Sequence, residues 1–78
     1  MVTVQEKMDA IESGPNYVHG SLIIKSYDDR GVVLKWLEQS SGVAERKEHF
    51  IELNEDESNM PLENRTAVND IEIEPPSG

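Results

Sequence analysis

The sequence predicts an α+β protein: an N-terminal helix packed on a small antiparallel sheet, a three-stranded meander plus one or two further strands. Three observations carry that expectation. A capping signature opens an apolar stripe of helical period at the N-terminus, long β-branched and aromatic segments fill the middle, and two short polar turns closed by glycine divide those segments.

The helix is expected over residues 4–13. Thr3 and Glu6 form a capping box, in which each side chain satisfies an orphan backbone N–H. Val4, Met8 and Ile11 recur on one face, and Gly14-Pro15 ends the helix because proline cannot continue the hydrogen-bond ladder.

Strands are expected over 18–27, 32–39 and 43–53, joined at Asp29-Arg30-Gly31 and Ser40-Ser41-Gly42. Two polar residues before a glycine suit a type I turn closed by a left-handed glycine. That geometry sets Asp28 opposite Val32 and Gln39 opposite Val43. It predicts a core face of Leu22, Ile24, Val32, Leu34, Trp36, Ala44 and Phe50, covered by the helix stripe. The other face then carries Ile23, Tyr27, Val33, Leu37, Ile51 and His49, with Lys25, Lys35 and Lys47 in one cross-strand row. Like charges directly opposite repel, so the row calls for negative charge beside it, either an external anion or the acids of the chain's own C-terminal half, which are favoured because they are covalently attached.

From Asn54 the residues read as a surface loop, followed by an edge strand near 68–74 in which Ile71 and Ile73 alternate with Glu72 and Glu74. Residues 75–78 are expected to be a disordered tail, and 1–74 one compact domain.

Charge is the most informative property. Residues 1–47 hold seven acids and six bases, whereas residues 48–78 hold nine acids and a single base, Arg65. A net charge of −9 in 78 residues, concentrated in one half, repels free nucleic acid and membranes and attracts basic surfaces. The alternative is that the charge serves solubility alone. With no cysteine, no basic and apolar leader, and no apolar run near the roughly 20 residues of a membrane span, a cytoplasmic location is expected.

Catalytic signals are sparse. His19 and His49 are the two histidines, and no nucleophile motif, phosphate loop or dinucleotide fingerprint is present, so neither enzymatic activity nor a cofactor is expected. Asn54, Asp56 and Ser58 begin like a calcium loop, but Asn59 stands where glycine is needed and Arg65 where a bidentate glutamate is needed.

The expected function is therefore non-enzymatic binding of a basic, nucleic-acid-handling protein, as an inhibitor or modulator that makes no direct nucleic-acid contact. Glu55, Asp56 and Glu57 are the leading residues, supported by Glu63, Asp70, Glu72 and Glu74. Small, acidic, cysteine-free chains of this kind are common among phage proteins that act on host machinery, and a phage origin is expected by that analogy of composition.

Two other readings follow from the sheet. Lys25, Tyr27, Lys35, Lys47 and His49 would offer a face for stacking bases and holding phosphates. Here "IKSYDDRGVVLK" resembles a hairpin of the Sm-like proteins, which implies a ring-forming RNA binder built on a bent five-stranded barrel. Arg30, however, stands where the bacterial form has a base-stacking aromatic. The remaining reading is a structural subunit that associates with itself through the edge strand at Ile71 and Ile73.

Overall fold

The computed structural model describes residues 2–73, the side chains of 69–73 excepted. Helix α1 (Val4–Glu12) precedes an antiparallel sheet of β1 (Ile23–Tyr27), β2 (Gly31–Ser40), β3 (Val43–Leu53) and β4 (Ala67–Ile73), in the spatial order β1-β2-β3-β4. This is the α+β architecture that the sequence predicts. Among the described residues the sheet is open, and the closed barrel implied by the Sm-like resemblance is not formed.

Local chemistry places the helix. Thr3 Oγ1 accepts the Glu6 N–H at 3.1 Å while Glu6 Oε1 accepts the Thr3 N–H at 3.0 Å, which completes the capping box. Val4 is fully buried, and Met8 and Ile11 pack beside it on the core. The entry to the helix is also tied to the far end of the chain. Val4 N–H donates to the Arg65 carbonyl at 3.0 Å, and Ala67 N–H to the Val2 carbonyl at 2.7 Å.

The first strand is shorter than the expected 18–27. Tyr17 bridges Glu38, the chain then loops away, and pairing with β2 resumes at Ile23 opposite Lys35. The loop turns at Gly20, whose φ of 84° lies in the left-handed region. Ser21 Oγ accepts the Leu37 N–H at 3.0 Å, replacing the ladder bond that the interruption removes.

Both hairpin registers differ by one residue from expectation. Tyr27, and not Asp28, faces Val32; Ser40, and not Gln39, faces Val43. At the second turn Ser41 (φ 53°) and Gly42 (φ 81°) are both left-handed, so the loop is a two-residue turn of the type whose twist matches its strands. At the first, a bulge between Ile24 and Ser26 adds a second residue of shift, so Ile24, expected opposite Trp36, faces Leu34 and stays on the side of β2's buried residues.

The slip leaves β2 as expected and inverts β3. Val32, Leu34 and Trp36 are buried under the helix, opposite Ile51, His49 and Lys47 respectively. Ile51, Leu53 and His49 therefore join the core, while Phe50 lies with Val33 on the opposite face. Each fully buried aliphatic side chain here contributes about 1.5–3 kcal/mol. Trp36 is accommodated because its Nε1 donates to Glu38 Oε2 at 3.0 Å, two residues along the same face.

Candidate functional site

The acidic segment after β3 is built from its own polar groups. Asn54 caps a short 3-10 turn, Glu55–Glu57, by accepting the Asp56 N–H at 3.0 Å through its side chain. Glu57 turns inward: its carboxylate accepts from the Thr66 N–H and, at 3.0 Å, from the Thr66 hydroxyl. Arg65 is buried to 3% exposure, and its Nη2 donates to the carbonyls of Asp29 and Asn54, both at 2.9 Å. The position where a calcium loop would need a glutamate thus holds a cation that closes the loop from inside. Its Nε, also buried, meets no acceptor among the described residues.

The predicted acidic residues consequently divide. Glu57 is a structural clamp, whereas Glu55, Asp56 and Glu63 are exposed. In register, Asp70 stands opposite Ile51 and Glu72 opposite His49 on the edge strand β4; Glu74 and residues 75–78 lie outside the described residues.

Missing from the sequence reading is a groove of about 480 Å³ lined by Phe50, Leu53, Glu52, Glu55 and Arg30. Gly31 makes its floor possible. A Cβ at residue 31 would sit 2.5 Å from the edge of the Phe50 ring, so only glycine lets the ring lie across β2. Glu52 and Glu55 are exposed beside the half-buried ring. Arg30 reaches Glu55 at 3.9 Å, but both side chains are mostly exposed (85% and 71%), so the pair holds weakly and is exchangeable. An aromatic face flanked by carboxylates is chemistry that suits a guanidinium or ammonium group.

The lysine row does not form. Lys35 stands opposite Glu48 in the ladder, and Lys25 Nζ lies 3.0 Å from Glu48 Oε1, so a β3 acid takes the place that the row gives to Lys47. Lys47 projects on the opposite face, across from Trp36, with its Nζ 3.6 Å from Glu45 Oε2. His49 is buried in the core, and Tyr27, opposite Val32, is exposed near the first turn. The register slip of β3 is the cause: it moves Lys47 and His49 away from the face that holds Lys35.

The first turn fixes Arg30. Asp28 Oδ1 accepts the N–H groups of Arg30 at 2.8 Å and Gly31 at 3.0 Å. Those two bonds, aided by the charges of Arg30 and Arg65, hold the Asp28 carboxyl below the usual aspartate range. A depressed folded pKa contributes stability above the ordinary value of about 3.9, and that contribution is lost as pH falls through the lower folded value. Asp28→Ala is therefore expected to weaken the turn at neutral pH and to flatten the acid-unfolding curve below about pH 4. Asp28→Asn, which keeps the acceptor oxygen, is expected to flatten the curve while retaining more of the turn. Circular dichroism from pH 2 to 7 checks both.

No family model, curated protein or solved structure matches the chain, so the chemistry of the site is read from its own residues. Among the described residues no helix is long and apolar enough to cross a membrane.

Proposed function

We propose that this chain is a non-enzymatic protein-binding module that engages a basic, nucleic-acid-binding surface of a partner protein and thereby inhibits or modulates it. The observation that carries this reading is the groove in which Glu52 and Glu55 flank the ring of Phe50. Exposed ion pairs contribute little singly, so affinity needs an apolar anchor among the charges, and Phe50 supplies one. Arg30, loosely held at the same groove, occupies the place that a partner's arginine or lysine would take.

Asp56 and Glu63, with Asp70 and Glu72 of β4 and with Glu74, would extend the field that steers such a partner. Glu57 is removed from the binding set, because its carboxylate is committed to Thr66.

Affinity capture from nuclease-treated lysate, with the wild type and a Glu52→Lys/Glu55→Lys variant, tests the reading. A basic protein retained by the wild type and lost by the variant is the expected result. Retention by both, or recovery that disappears on nuclease treatment, contradicts it.

A further inference from the structure

Among the described residues, strand β1 ends the sheet and β2 is its one neighbour in it. All five of its residues are exposed, Ile23 to 53%, Ile24 to 41% and Tyr27 to 63%. Beside the strand runs a groove of about 410 Å³ between it and α1, lined by Met8, Leu22, Ile23 and Ile24 with Gln5 and Glu12 at the rim. An open backbone edge and an apolar strip thus adjoin. Edges are ordinarily protected by charge or proline. Here the one charged residue of β1, Lys25, has its ammonium drawn onto Glu48 of β3, at 3.0 Å.

We infer that β1 is a self-association edge, at which a second copy of this chain pairs antiparallel about a two-fold axis and joins the two sheets. Charge selects this edge and this occupant. Residues 1–47 carry a net charge of −1 and residues 48–78 carry −8, so the N-terminal half is the part of the surface where two copies approach without strong repulsion. Pairing through β4 would bring together the strands that carry Asp70 and Glu72.

In the β1 arrangement the two β4 strands lie at opposite ends of an eight-stranded sheet, seven interstrand spacings apart. That is about 33 Å, roughly four Debye lengths at physiological salt, so the acidic halves scarcely sense each other. A basic foreign strand, by contrast, would be steered to the acidic end. A two-fold normal to the sheet also places both α1 helices on one side of the joint, where the two grooves bearing Met8, Leu22 and Ile24 face each other. The joint is only five residues long, so association is weak and concentration-dependent.

Sedimentation equilibrium from about 10 µM to 1 mM tests the inference over the range of weak association. The mass of the wild type is expected to rise from 8.8 kDa toward twice that value and no further. Ile24→Lys is expected to remain monomeric with an unchanged circular dichroism spectrum. If Ile24→Lys unfolds, Ile23→Lys, at the more exposed neighbour, decides in the same way. A wild type monomeric throughout, a mass that grows past the dimer, or a folded lysine variant that associates like the wild type overturns the inference.

Discussion

Replacing Arg65 with methionine is expected to lower the stability of the fold by about 3 kcal/mol, the combined cost of losing two charge-assisted hydrogen bonds. The guanidinium joins the first hairpin turn at Asp29 to the end of β3 at Asn54, while its backbone carbonyl receives the first N–H of α1. Loss of the side chain removes its link between the first turn and the end of β3, and leaves the backbone bond to α1 and the Glu57 N–H on the Asn54 carbonyl in place. Methionine retains the apolar bulk, so the loss measures the polar role and not a cavity. For a domain of this size the shift corresponds to a fall in melting temperature of roughly 12–24 °C. Both bonds arise from Nη2, so Arg65→Lys, whose ammonium also donates more than once, is expected to recover part of the loss. Urea unfolding with an unchanged m-value checks the series; equal midpoints for Arg65→Met and wild type would contradict the role assigned to Arg65.

Ile51→Ala is expected to cost about 2–5 kcal/mol, the usual range for truncating a fully buried aliphatic side chain. Ile51 has no exposed surface, faces Val32 across the ladder and belongs to the core cluster with Leu34 and Val4. The prediction discriminates between registers. Had the second turn contained three residues, Ile51 would lie on the open face of the sheet and its truncation would cost well under 1 kcal/mol. A midpoint of chemical unfolding within error of the wild type would therefore place β3 in the wrong register.

Local signals in the sequence were the ones that translated into structure. The Thr3 and Glu6 capping box and the Val4, Met8 and Ile11 stripe are written within three turns of chain, and all appear as read. The alternation of Val32, Leu34 and Trp36 likewise defines the buried face of β2. Register was not legible, because Ser-Ser-Gly fits both a two-residue and a three-residue loop. Only the backbone at Ser41 distinguishes them, and serine is not among the residues that announce a left-handed position. That one ambiguity placed Phe50 in the core, left Ile51 outside it and assembled a lysine row that does not exist.

The candidate site was half legible. The concentration of acids after residue 47 is plain from composition, but which of them face outward depends on contacts distant in sequence. Glu57 is taken by Thr66, nine residues on, and the Phe50 ring becomes part of a groove only because Gly31 lies beneath it from another strand. One signal could have been used. A lone base among nine acids, Arg65, is a natural internal counter-charge, and it proves to be the group that closes the acidic loop.

The most direct test of the acidic groove is an ¹H–¹⁵N NMR titration of the protein with an arginine-rich peptide, repeated at low and high salt. Two variants of equal charge change accompany it: Glu52→Lys/Glu55→Lys at the groove, and Asp9→Lys/Glu12→Lys on the exposed side of α1. The expected result is saturable shifts centred on Arg30, Phe50, Glu52 and Glu55, weakened by salt, abolished by the groove variant and preserved in the helix variant. Shifts spread over all exposed acids, and reduced equally by the two variants, would mean that the charge acts as a diffuse field and that the groove is not a binding site.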